Sequence, residues 1–519
     1  MNKFLAAALI IPFCGFAQET STAKFPDLNW YNADNKADNL FGTSVDKAYK
    51  ELLIGKQPKK TVIVAVIDSG VDINHEDLKD KIWVNDDEIA GNNIDDDHNG
   101  FIDDVHGWNF LGNSKGENIN YENYEYVRVY ESGPKNKDYE SAKKQYEAEL
   151  DRRTKDRKLY ADFEEQLNLA KSIIKDKTGI SVSRPEDLKA ISSTDDRVLA
   201  ATAFLQRRFD AGFDEESFKN SKQRNADFFE RYLNLDFNPR KIAGDNPEDI
   251  NDVHYGNPDV FGPRANHGTG VSGIIAGVRG NGIGIDGIAA NVKIMVLRTT
   301  PDGDERDKDV ALAIRYAVAN GARIINMSFG KSLSPQKQFV DDAIRFAEKN
   351  NVLVIHAAGN DGVNLDTVES FPSDLYLDGK RATNFLNVGA SDKHNGTSVA
   401  AEFSNYSKTR VDIFAPGVDI VASDVNNTYS MNSGTSDAAP VVTGIAALTL
   451  SYYPELKPQE LIAILLDSAA DLKDAKVEQP NRQTREKTTV PFGSLCKSGG
   501  IVNAYSALKL AEKRASAKH

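Results

Sequence analysis

The chain has 519 residues, enough for one large α/β domain with insertions or for several smaller ones. Its net charge of −14 argues against nucleic acid as a partner, because phosphates would be repelled. Of its two cysteines, Cys14 and Cys496, the first lies in a segment expected to be removed, so no internal disulfide is available and the core or a metal must hold the fold.

The N-terminus reads as an export signal over residues 1–17. Lys3 supplies the positive end, Phe4 to Phe13 the apolar stretch, and Gly15-Phe16-Ala17 a small-x-small cleavage site before Gln18. The apolar stretch is too short to span a bilayer, and no later run is long enough. A periplasmic or extracellular protein is expected. The alternative, lipid attachment at Cys14, is disfavoured by the bulky Phe13 before it. Residues 18–45 form a polar, turn-rich extension, with Trp30 and Tyr31 as anchors onto the main body.

Thr61 to Ile67 is a nearly unbroken β-branched apolar run, the pattern of a strand buried on both faces of a parallel sheet. Similar runs follow at Val292–Leu297, Ile324–Met327, Val352–His356 and Leu386–Val388. Helical stretches lie between them at Val271–Ala276, Val310–Asn320 and Gln338–Asn350. This alternation predicts an α/β fold, a mostly parallel central sheet with helices on both faces, built from residues 46–114 and 263–519.

Residues 115–262 interrupt the pattern as a densely charged insertion. Tyr160, Phe163, Leu167, Ala170 and Ile174 recur at helical spacing, and Tyr139, Ala142, Tyr146 and Leu150 extend the same face. The plain expectation is a helical unit packing on itself or on the main domain; the sharper one is a lid or partner-binding module that restricts access or assists folding.

Three short segments carry reactive groups: Val66-Ile67-Asp68-Ser69-Gly70, Asn266-His267-Gly268-Thr269-Gly270 and Ser433-Gly434-Thr435-Ser436. Singly, each has an ordinary reading as a turn, a structural histidine or a helix cap. Jointly they supply an acid, a base and a nucleophile. Asp68 falls just past the end of the first strand, where catalytic groups of open parallel sheets collect. His267 precedes the stretch Val271–Ala276, and Ser436 opens a helix running to about Tyr452, with Pro440 in its first turn.

The flanking residues resemble the subtilisin-like serine proteases, whose triad runs in the order Asp, His, Ser. Thr61–Asp77, Asn266–Gly277 and Gly434–Pro440 resemble the segments around the family's three catalytic residues. Asn326–Gly330 resembles the strand lining the substrate cleft. Ala357–Gly362 resembles the loop that carries the oxyanion asparagine, here Asn360. Phe414–Gly417 and Gly499–Ala504 resemble later landmarks. The resemblance covers residues 45–110 and 263–510 and implies a secreted endopeptidase acting on protein or peptide substrates through Asp68, His267, Ser436 and Asn360. Two alternatives share these residues: a catalytically silent binding protein acting through the insertion, and a narrow esterase or amidase. Nothing in the sequence sets an oligomeric state.

Asp95-Asp96-Asp97-His98-Asn99-Gly100, followed by Asp103, resembles the first half of a calcium loop, with oxygen ligands at Asp95, Asp97 and Asn99. His106 stands where a bidentate glutamate is expected, so Asp103 is the candidate closing ligand. Asp77 matches a calcium position of many subtilisins. His98 and His106 lack zinc spacing. Two departures stand out: Asp437 follows the nucleophile where the family has an uncharged residue, and Asp361 follows Asn360. The Asp437 carboxylate would raise the basicity of His267 or favour Lys or Arg before the scissile bond, and Asp361 adds to the second of these. The extension 18–45 is too short for the folding propeptide of many secreted relatives, and the chain stops shortly after the family's last helix.

Overall fold

The structure, a computed structural model, describes residues 25 and 27–517. The expected export signal and Cys14 lie outside the described residues. The described residues divide into two compact units, Tyr126–Phe237 and the rest of them.

In the larger unit the apolar runs become strands in chain order. These are β1 (Val62–Asp68), β2 (Gly107–Asn109), β3 (Val292–Arg298), β4 (Ile324–Met327), β5 (Leu353–Ala357), β6 (Phe385–Ser391) and β7 (Ile413–Pro416). After them come β8 (Ile420–Asp424), β9 (Thr428–Asn432), β10 (Ala470–Asp471), β11 (Lys476–Glu478), β12 (Thr489–Pro491) and β13 (Gly500–Ile501). Nine of them form one sheet in the order β10-β13-β7-β6-β5-β4-β1-β3-β2, parallel except for the β10–β13 edge. Two small hairpins, β8–β9 and β11–β12, stand apart.

The continuous apolar runs are explained by burial on both faces. Val64 and Val66 of β1 join Ile294 and Val296 of β3 in the core beneath helices Ala265–Ala276 and Thr435–Tyr452. Ala65 and Ile67, with Met295 and Leu297, enter a second core beneath helices Asp307–Ala319 and Lys337–Lys349. Each such Val, Ile, Leu or Met side chain taken from water stabilises the fold by ~1.5–3 kcal/mol, and the helices differ by face because successive strand residues do. The chain leaves β1 for β3 on one side and later reaches β4 on the other, so the order reverses at β1. The carboxyl end of that strand is where an open α/β sheet leaves a crevice.

Trp30 and Tyr31 are buried as anchors: the indole N–H donates to the Asp419 carbonyl and the phenol to that of Asp286.

The smaller unit is helical, as its spacing predicts. Its longest helix, Tyr139–Thr178, ends on Gly179 in the left-handed conformation and buries Ala142, Leu167, Ala170 and Ile174. Leu167 and Ile174 pack with Val198, Ala201 and Leu205 of helix Asp196–Asp210 in a core separate from those of the sheet. Its bounds are narrower than the expected 115–262. Ile119 and Tyr255 pack in the core under the sheet, and Asn257 bridges to Asn109 of β2. Arg240 pairs with Asp309 at 2.8 Å and Lys308 with Asp245 at 2.8 Å, all four side chains 4 % exposed or less. These charges look like a solvated surface in sequence because pairing, not composition, allows them to be buried.

Candidate active site

Asp68 is the last residue of β1, at the point where the strand order reverses, and is 1 % exposed. Its Oδ1 accepts the Ser69 backbone N–H at 2.7 Å and faces His267 Nδ1 at 2.7 Å. The Ser69 hydroxyl lies between Asp68 Oδ1 and the Arg264 carbonyl, tying the turn after β1 to the entry of the histidine helix. Gly70, at φ +116°, lets the chain pass beneath the Phe261 carbonyl, 2.1 Å from where a Cβ would sit. Because the carboxylate can only accept, Nδ1 carries the proton and Nε2 is left as the acceptor, the tautomer a general base needs.

The histidine helix spans Ala265–Ala276, so it starts six residues before the expected Val271 and includes His267 in its first turn. Three glycines make this stretch a poor helix by propensity. Packing overrides that cost: a Cβ on Gly268 would lie 2.1 Å from the Gly70 carbonyl, and one on Gly273 2.5 Å from Ser423 Oγ. Close approach of the helix to the turn after β1 sets the short Asp68–His267 distance. The His267 side chain remains 43 % open to solvent. Burial works against its charge, but Asp68, by charge and hydrogen bond, and then Asp437 outweigh it, raising its pKa to about 9.

Ser436 is the second residue of helix Thr435–Tyr452, capped by Gly434. Pro440 stands in the second turn, not the first. It has no N–H for the Ser436 carbonyl four residues back, and that carbonyl instead accepts the Ser328 hydroxyl at 3.0 Å. Ser328 is held by Asn326 of β4, whose amide donates to it at 2.9 Å and accepts from Thr443 at 2.8 Å. The Ser436 backbone is therefore fixed to β4 and the residues that follow it.

Asn360 lies in the loop after β5. Its Oδ1 accepts both the backbone N–H (2.8 Å) and the hydroxyl (2.9 Å) of Thr435, which leaves Nδ2 as the donor end of the amide. Around the Gly434 Cβ position lie Ser436 Oγ at 2.7 Å, Asp437 Oδ2 at 3.4 Å and Asn360 Nδ2 at 3.5 Å. A hydroxyl at a positive helix end and an amide nitrogen thus lie side by side at Gly434, and an acid-held imidazole stands at the end of β1; these are the kinds of group acyl transfer uses.

Sequence reasoning missed Thr435 and Ser328, whose motifs were read but not their contacts, and Arg298. Arg298 is paired with Asp68 across β1 and β3 and buried; its guanidinium donates to the Ser69 carbonyl, Asn109 Oδ1 and the Ile119 carbonyl. Burial pushes its pKa down to about 10. An arginine ending the apolar run of β3 was the only signal.

The acidic loop is only partly as expected. Oxygens of Asp95 and Asp97 converge with Glu88, all within 4.8 Å of one another. Asp103 does not join them: its carboxylate accepts the backbone N–H groups of Gly91, Asn92 and Asn93. Asn99 presents its amide nitrogen to Asp97 and Asp104, its oxygen being taken by the Phe101 N–H. Glu88 was missed because a fold-back of the chain, not loop spacing, brings it there. Asp77 is elsewhere, fastening the 278–285 loop through Val278, Asn281 and Ile285. His98 and His106 face backbone carbonyls.

A sequence profile of the subtilase family matches residues 59–484, a span that holds Asp68, His267, Asn360 and Ser436. The chain is similar to the thermophilic serine proteinase of Bacillus sp. strain AK1, with 38 % identity over 36 % of this chain and 43 % of that protein. It is similar to subtilisin BL of Lederbergia lenta, with 33 % identity over 40 % of this chain and 71 % of that protein. Among solved structures, the prenylagaramide maturation protease PagA matches with 30 % identity and a TM-score of 0.38 over 47 % of this chain and 82 % of that one. The chain spans less than half the length of the first of these relatives.

Proposed function

The chain belongs to the subtilase family, and from that premise we propose that it is an exported serine endopeptidase that cleaves proteins or peptides through a covalent acyl-enzyme. The observation that supports the reading is the 2.7 Å Asp68–His267 contact, beside which stands the pairing of Ser436 Oγ and Asn360 Nδ2 around Gly434. His267 Nε2 takes the Ser436 hydroxyl proton as Oγ attacks the scissile carbonyl, then returns it to the leaving amine. Asp68 holds the imidazole and stabilises its charged form. The Asn360 amide and the Ser436 backbone N–H donate to the oxyanion. Water repeats the cycle on the ester.

A fluorophosphonate should label Ser436, and the purified protein should digest casein. Ser436→Ala should abolish both. Asn360→Ala should lower kcat about 100- to 1000-fold, a scale set by the corresponding experiment on subtilisin itself. Absence of label on the native protein rejects the enzyme; label without digestion points to a narrow hydrolase.

Calcium is proposed at Glu88, Asp95 and Asp97. The donors are hard oxygens, and clustered carboxylates repel one another unless a cation joins them. EDTA should lower the melting temperature and added Ca²⁺ restore it; no change on chelation, with no calcium by elemental analysis, rejects the site. Export rests on the N-terminal residues; among the described residues no helix is long and apolar enough to cross a membrane. The mature protein should begin at Gln18, and a mature chain retaining Met1 would count against removal of a signal.

A further inference from the structure

Asp437 is the charged residue of the site that the proposed reaction leaves without a task. It sits in the first turn of the serine helix and is 8 % exposed. Its backbone N–H closes on the Gly434 carbonyl at 3.1 Å. No hydrogen bond or ion pair reaches its carboxylate among the described residues. The cation nearest in sequence to His267, Arg264, is already engaged with Asp302. A carboxylate taken this far out of water without a hydrogen-bonded partner is costly; the His267 charge offsets that only in part, since burial still raises the Asp437 pKa to about 7, and a positive group brought to it offsets the rest.

Its position says which part of a substrate can bring that group. Asp437 Oδ2 and Ser436 Oγ share the space around Gly434, and the carboxylate also acts on the His267 imidazole. A carboxylate beside the nucleophile and near enough to raise the basicity of the imidazole lies toward the place where that imidazole returns a proton to the leaving amine. The residue released with that amine is therefore the one whose side chain comes nearest to Asp437.

Resting on the protease reading, we propose that Asp437 is a specificity-determining residue: its buried, unpartnered carboxylate beside Ser436 selects substrates with Lys or Arg immediately after the scissile bond. A charge-assisted contact formed in the transition state would appear in kcat/KM.

The test uses the full-length protein and matched fluorogenic peptides that differ only at that residue, with Lys, Arg, Leu or Glu. Lys and Arg peptides should exceed Leu about tenfold in kcat/KM, and Glu should be poorest. In Asp437→Asn the Lys-to-Leu ratio should fall to about one; Asp437→Glu, which keeps the charge, should retain a preference. A purely structural role would lower all peptides together and leave the ratio intact, which would overturn the proposal, as would a native ratio near one. Fluorophosphonate labelling of Ser436 separates the two failures. Label with no preference sinks this inference alone, whereas no label sinks the protease reading with it.

Discussion

His267 is flanked by two carboxylates, and this should be visible in the pH dependence of the reaction. Its pKa is raised to about 9 because Asp68 and Asp437 favour the imidazolium against burial and against the neighbouring Arg264. The general base must be neutral, so kcat/KM should climb from neutral pH into the alkaline range along a limb set by His267. Asp437 is itself raised to about 7 by burial, with His267 pulling the other way, so it is ionised where that limb develops. Asp437→Asn removes one of the two anions and should move the limb to lower pH. A profile recorded from pH 5 to 10 on a peptide with Leu after the scissile bond checks this; an unmoved limb would show that Asp437 does not act on the base. The same shift is a linkage statement. A pKa higher in the folded than in the unfolded state contributes stability that is full below about 6.5 and is lost as pH rises through about 9. The Asp68–His267 contact and the nearness of Asn360 to Ser436 were legible as motifs in the chain because the chemistry proposed for them needs particular residue types within short segments. The contacts of Ser328 and Thr435 were not, since they depend on where a helix end meets a strand and a loop.

Two element contacts hold these residues in place, and each has a variant that reports on it. Gly268→Ala would improve helix propensity by about 1 kcal/mol in an open helix. Here its Cβ would meet the Gly70 carbonyl at 2.1 Å, so the helix must lift from the turn after β1. We expect a destabilisation of ~1–3 kcal/mol by chemical denaturation and a fall in kcat as His267 leaves Asp68. Full activity in this variant would mean the helix adjusts without moving the imidazole. Ser328→Ala leaves the Ser436 carbonyl without the donor that Pro440 cannot supply, at a cost of ~1–3 kcal/mol. Fluorophosphonate labelling of Ser436 should slow, and unchanged labelling would show the helix end is fixed by Asn360 and Thr435 alone. The strands were legible because burial on both faces writes itself as a continuous β-branched run: β1 was expected at Thr61–Ile67 and spans Val62–Asp68. The start of the histidine helix was not, because Gly268, Gly270 and Gly273 hide a helix that exists through packing. Pro440 was placed one turn early for a related reason: the helix begins at Thr435, whose amide is capped from another loop.

At the scale of the molecule, the two units have separate cores, and their stabilities should respond to different perturbations. The Tyr126–Phe237 unit rests on apolar contacts around Leu167, Ile174, Val198 and Leu205. The sheet unit has its apolar layers and, on the calcium proposal, a cation joining Glu88, Asp95 and Asp97. Ile174 is fully buried, and Ile174→Ala should cost ~2–5 kcal/mol, through lost transfer energy and the cavity left behind. That cost belongs to the helical unit, while chelation belongs to the sheet unit. Calorimetry should resolve two transitions, one lowered by Ile174→Ala and unmoved by EDTA, the other lowered by EDTA and unmoved by the substitution. Activity tracks the assignment: heating to between the transitions and cooling should cost nothing if the sheet unit is the more stable. One transition moved by both treatments would show that the chain unfolds as a single cooperative body, and the helical unit would then have to be counted among the elements that sustain the candidate site.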